Sequence, residues 1–176
     1  MKPGWFGSAV RAFAFCALFA DSALGQYELV RIEADLAKGF EWPYYLVIPE
    51  TLKTPTFLIV TPNNTGVTSD DPAVHDQAAR DNLWFLRITA GSIGSPMMTP
   101  TFPRPAQFSQ IYTHALDRAT LLTKVSKLQR IDLQLVAMIE DAKARLRENG
   151  VAVEEKVWMF GMSASGQSPP AYTVAR

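Results

Sequence analysis

Six residues near the end of this sequence, Gly161-Met162-Ser163-Ala164-Ser165-Gly166, have the types and spacing that chemistry at a serine requires. In a G-x-S-x-G turn the serine stands at a sharp reversal from strand to helix, and its neighbours must be small because the strained backbone leaves no room for bulk. Ser165 occupies the last glycine position; it is still small, and Gly166 follows it. The chemistry is nucleophilic. Ser163 would attack a carbonyl carbon, and preorganised N–H donors, each worth about 3 kcal/mol of barrier, would hold the charge that develops on oxygen. Such a serine must lose its proton to a histidine, which is oriented by a carboxylate. A purely structural glycine/serine turn is the plain alternative.

The turn is useful only if regular elements hold it. Residues 157–160 (Val-Trp-Met-Phe) form an apolar strand directly before it, with Trp158 and Met159 expected in the core. Upstream, residues 131–149 place Ile131, Leu135, Met138, Ile139, Ala142 and Leu146 on one helical face, and Asn149-Gly150 is a natural stop. Residues 56–61 are an unbroken apolar run suited to a strand buried on both faces, and they lead into a loop, Pro62-Asn63-Asn64-Thr65-Gly66. Ser69, Asp70, Asp71 and Pro72 open a helix expected to end near Gly91 or earlier, although residues 83–89 would suit a strand by propensity alone. Residues 97–102 read as a short strand despite Pro100, and residues 27–33 and 44–48 as two opening strands. Two strands followed by strand, helix, strand, helix, strand predict one α/β domain, a mostly parallel sheet flanked by helices. In such sheets ligands bind at the carboxyl ends of the strands, where the loops at 62–66 and 161–166 both lie.

With its strand, loop and order of elements, the G-M-S-A-S-G turn resembles the α/β-hydrolase superfamily, and is similar to elbows of esterase, dienelactone-hydrolase and prolyl-oligopeptidase-like members. The resemblance extends over residues 27–166. It implies Ser163 as nucleophile and the main-chain N–H of Ala164 as one oxyanion donor. A second donor would come from the loop after the third strand, making Asn63 and Asn64 the candidates; many members have His-Gly where this chain has Asn-Asn-Thr-Gly. The family order is serine, then Asp or Glu, then histidine, whereas the ten residues after Gly166, QSPPAYTVAR, hold neither an acid nor a histidine. The expectation is therefore a truncated α/β-hydrolase domain over residues 26–176: a serine hydrolase of carboxylesterase or peptidase type, acting on a small-molecule ester or peptide and inactive as this chain. His75 and His114 both precede the serine and are expected at the surface or at helix starts, with His114 the candidate for an unusual base. Pro169 and Pro170 would interrupt a helix beginning at the elbow, and residues 157–160 are expected to present an unpaired apolar edge without charge to protect it. The alternative reading is a non-catalytic secreted α/β protein that uses the cleft for binding.

Seventeen basic residues balance seventeen acidic ones without any block of like charge, which argues against nucleic acid or an anionic lipid surface as partner. Residues 1–25 read as a signal peptide, with Lys2 and Arg11 before the apolar residues 12–20 and a small-residue cut site, Ala23-Leu24-Gly25, before Gln26. The apolar run falls well short of the ~20 residues that a membrane span needs, so a secreted or periplasmic protein is expected; a buried first helix is the alternative. Cys16, the one cysteine, lies inside that run, which leaves no disulfide or cysteine-bound metal in the mature chain. No cofactor or metal is expected, since Asp70-Asp71 lacks convergent ligands and serves better as a helix start. Asn63-Asn64-Thr65 matches a glycosylation acceptor but reads better as a loop, and residues 112–118, which resemble a segment of some bacterial hydrolases, are assigned a structural role.

Overall fold

The computed structural model describes residues 27–63, 67–162 and 165–166. Five strands, β1 (Tyr27–Ile32), β2 (Tyr44–Pro49), β3 (Thr56–Val60), β4 (Met97–Pro100) and β5 (Val153–Met159), form one sheet in the order β1-β2-β4-β3-β5. β3 is parallel to both β4 and β5, while β2 is antiparallel to β4 and to β1. The sheet is thus mixed: the expected parallel pairing is confined to the three strands joined by helical crossovers, and the two opening strands close as a hairpin-like pair beside them.

Side-chain alternation sends successive residues to opposite faces, and both faces are covered. Tyr44, Leu46, Leu58, Val60 and Met98 pack under α3 (Ile131–Glu148) with Ile131, Leu135, Met138, Ile139 and Leu146. Tyr45, Val47, Ile59 and Met97 face α1 (Pro72–Ile93) and its Ala79, Leu83, Leu86 and Ala90. Each buried aliphatic side chain of this kind is worth about 1.5–3 kcal/mol, so the alternation sets the register.

α1 is a helix throughout, residues 83–89 included, because Leu83, Leu86 and Ala90 continue the buried stripe begun at His75 and Ala79. It runs past Gly91 to Ile93 and ends on Gly94, whose left-handed φ of 69° lets its N–H reach back to Ala90 and Gly91. Asp71 caps the start by accepting the Ala73 N–H. A short α2 (Arg118–Leu122) precedes α3. Among the described residues no helix is long and apolar enough to cross a membrane.

β5 begins at Val153, so the polar residues 154–156 belong to the strand. Trp158 corrects the expectation of a core tryptophan: it is 57% exposed, on the α1 face of the sheet, stacked on Phe57 with ring centroids 3.9 Å apart. Met159, one residue on, points to the opposite face and packs against the α3 cluster. The cause is coverage, since α1 lies chiefly across β2 and β4 and reaches β3 at Ile59, and Trp158 on β5 lies beyond it.

Candidate active site at the carboxyl edge of the sheet

Parallel pairing brings the carboxyl ends of β3, β4 and β5 to one edge. The Phe160 N–H donates to Val60 O, and the Thr61 N–H to Met98 O, both at 2.9 Å, so the three following loops start side by side. The β5 loop is the turn singled out by sequence. Ser163 and Ala164 lie outside the described residues, but the residues that bracket them do not. A Cβ placed on Gly161 would overlap the carbonyl group of Ser165, and a Cβ on Gly166 would stand 3.3 Å from Gly161 O. Gly161 and Ser165 therefore stand so close that only glycine fits at 161. Ser165 is 1% exposed; its hydroxyl donates to Met162 O at 2.8 Å and accepts the Met162 N–H at 3.1 Å.

The β3 loop supplies Asn63, which is 1% exposed and donates its Nδ2–H to His75 O. That commitment corrects the glycosylation match, because a glycan would attach to the same buried nitrogen. Its Oδ1 has no partner among the described residues. Asn64 lies outside the described residues.

Both histidines are buried, each 1% exposed, so of the two settings expected, the surface or a helix start, the surface is excluded. His75 is in the first turns of α1, where its Nε2 lies 2.9 Å from Ser69 O and 3.3 Å from the Arg104 main-chain nitrogen. The Ser69 N–H in turn donates to Arg104 O, tying the start of α1 to the loop after β4. The His114 Nε2–H donates to Phe102 O at 2.9 Å, and its ring meets that of His75 edge to face, with centroids 6.4 Å apart. Burial pushes the His114 pKa down to about 4, with the nearby His75 and Arg104 acting in the same direction and the Phe102 carbonyl opposing them. His114 is thus a neutral ring pinned to main chain, and among the described residues neither histidine is hydrogen-bonded to a carboxylate. Residues 112–118 hold this edge together: the Arg104 guanidinium lies 4.2 Å over the Tyr112 ring, and the Thr113 hydroxyl donates to Pro103 O.

Asp70 and Asp71, the weak metal candidates, are both committed to main-chain N–H groups, of Gln107 and Ala73 respectively. Among the described residues no group of three histidine, cysteine or acidic side chains could hold a metal ion. The buried histidine cluster escaped sequence reasoning because it is assembled from α1 and the 102–114 connection, which no local spacing links.

No protein-family model and no curated protein matches the chain. Among solved structures it is similar to an S-formylglutathione hydrolase from Agrobacterium tumefaciens, at 12% identity and a TM-score of 0.44, over 83% of this chain and 52% of that one. It is similar also to the BES protein from Bacillus cereus, at 12% identity and a TM-score of 0.43, over 88% of this chain and 56% of that one. The chain spans about half the length of the structures it matches. Its mixed five-stranded sheet with helices is of the α/β class.

Proposed function

We propose that this chain carries the nucleophile and oxyanion side of a secreted serine hydrolase, of carboxylesterase or peptidase type, acting on a small-molecule ester or peptide. The observation that carries the reading is the approach of Gly161 to the Ser165 carbonyl, which makes the five-residue turn a tight reversal at the carboxyl end of β5. Of its two serines Ser163 is the nucleophile, since the Ser165 hydroxyl is buried and already gives its proton to Met162 O. Ser163 Oγ attacks the carbonyl carbon and expels the alcohol or amine, and water then releases the acyl group. The main-chain N–H of Ala164 and one from Asn63 or Asn64, across the β3–β5 boundary, hold the oxyanion.

Neither histidine suits the role of base. Each has its Nε2 engaged by main chain, and the low pKa of His114 makes it a poor proton acceptor. The reaction therefore calls for a base and a carboxylate other than the described settings of His75 and His114. The test is p-nitrophenyl acetate turnover by this chain and by the product of the same gene read with its downstream sequence. Negligible turnover is expected from the first; the second turns over and loses about 10³-fold or more in Ser163→Ala. Robust turnover by the 176-residue chain that disappears in His114→Ala would overturn the assignment of the base.

A further inference from the structure

We infer that His75 and His114 form an acid-sensitive latch: a proton taken up at His114 releases the 102–114 connection from the start of α1 while the sheet and α3 stay folded. The neck of the connection is closed by His114 itself, whose Nε2–H donates to Phe102 O twelve residues back, and by the Thr113 hydroxyl, which donates to Pro103 O. Against the start of α1 it is held by polar contacts. The Ser69 N–H donates to Arg104 O, the Gln107 N–H donates to the Asp70 carboxylate, and the Arg104 main-chain nitrogen lies 3.3 Å from His75 Nε2. The two imidazoles meet edge to face at 6.4 Å, each residue 1% exposed, so the pair stands where connection and helix touch. Apolar burial secures the ends more than the middle. Phe102 and Leu116 belong to the α3 cluster, whereas Ile111, buried between them, belongs to neither core cluster. A segment held chiefly by polar contacts can open without the rest of the domain.

A proton on His114 meets no counter-charge among the described residues. From the connection it faces Tyr112 and Arg104, from α1 it faces His75, and the β3 loop brings the neutral Asn63, which donates to His75 O. The acids of the adjoining segments are occupied: Asp70 and Asp71 accept the N–H groups of Gln107 and Ala73, Asp117 accepts that of Thr120, and Asp76 binds Arg31 and Tyr45. Burial, reinforced by His75 and Arg104, holds the closed ring neutral, with a pKa of about 4, and an opened ring regains the ordinary 6.5. The open state therefore binds the extra proton, and opening becomes easier as pH falls below 6.5. The latch is independent of any chemistry at Ser163. It is tested by amide hydrogen exchange on the 176-residue chain at pH 7 and pH 5, corrected for the intrinsic pH dependence of exchange. The Arg104 and Gln107 amides should be less protected than those of Leu135 and Met138 in α3 at both pH values. Their protection should fall roughly 25-fold between pH 7 and pH 5, the effect of one proton taken up at 6.5, and by less than about threefold in His114→Gln, which keeps an N–H for Phe102 O without a titrating ring. His114→Asn, made in parallel in case glutamine does not fit the site, should match it. Protection at Arg104 and Gln107 equal to that in α3, or unchanged between the two pH values in the wild type, overturns the latch without recourse to any variant. A fall in the folded variants as large as in the wild type places the proton elsewhere and overturns it equally.

Discussion

His114 has the usual histidine pKa of 6.5 in the unfolded chain and about 4 in the folded one, because burial disfavours the charged ring. The folded state therefore binds fewer protons between those values. The stabilisation is complete above pH 6.5 and is lost progressively as pH falls toward 4, amounting to about 3 kcal/mol over the window. Urea midpoints at pH 7 and pH 5 should separate markedly in the wild type and much less in His114→Asn; equal separation in both would show that another group controls the transition. Asp141 contributes lower on the pH scale. Burial alone would raise its pKa, but Arg145, Lys38 and Tyr44 outweigh this and hold it below its ordinary value. Its stabilisation is present above the ordinary carboxylate range and disappears as pH falls through the depressed value. Gly161→Ala tests the turn itself: its new methyl must displace the Ser165 carbonyl, which should lower stability by about 1–3 kcal/mol in thermal melts and loosen the hydrogen bonds between Ser165 and Met162. The need for small residues here was legible from sequence, because it is a local property of five consecutive positions. The fate of the histidines was not, because burial depends on which distant loops close over them.

At the level of elements, β5 shows why an edge cannot be judged from its own residues. Its apolar end, residues 157–160, stands out in sequence, whereas Glu154, Glu155 and Lys156 read as a polar connection. The structure continues the strand through them because α3 supplies partners. Lys143, its side chain only 2% exposed, donates to Glu155 O and to the Glu155 carboxylate, and Arg147 reaches Val153 O and the same carboxylate. The Ala152 carbonyl and the Phe160 N–H point toward β3, so by alternation the main-chain groups of Val153 and Glu155 face away from it. Two cations therefore occupy carbonyls at the start of β5 that would otherwise template another strand, upstream of residues 157–160, which carry no charge of their own. Replacing both by methionine keeps their aliphatic stems and removes the donors. The Lys143→Met, Arg147→Met double variant should remain folded at neutral pH yet scatter light sooner on incubation at high concentration than the wild type. Solubility indistinguishable from the wild type would mean that the cations do not guard the edge. Strand and helix identities were legible wherever a period of two or 3.6 ran unbroken; the start of β5 was hidden because its polar residues are satisfied from another element.

Across the whole molecule the two faces of the sheet are unequal. The α3 face is closed over a continuous cluster from Ile32 to Val153, whereas α1 lies chiefly across β2 and β4, reaches β3 at Ile59 and stops short of Trp158 on β5. What remains open is a connected aromatic surface in which Phe57 and Trp158 stack, with Phe160 and Met162 exposed further along β5 and its loop. An α/β sheet is normally covered on both sides, so this asymmetry sets the expected behaviour of the isolated chain. The closed cluster favours a cooperative fold, while the open aromatics on β3 and β5 favour dye binding and self-association. Trp158→Lys should then reduce ANS fluorescence and association in sedimentation without lowering the thermal midpoint by more than a few degrees, because the side chain it replaces already contacts water. A uniformly loose molecule would behave otherwise: ANS binding would persist in Trp158→Lys, and neither protein would show a sharp melt.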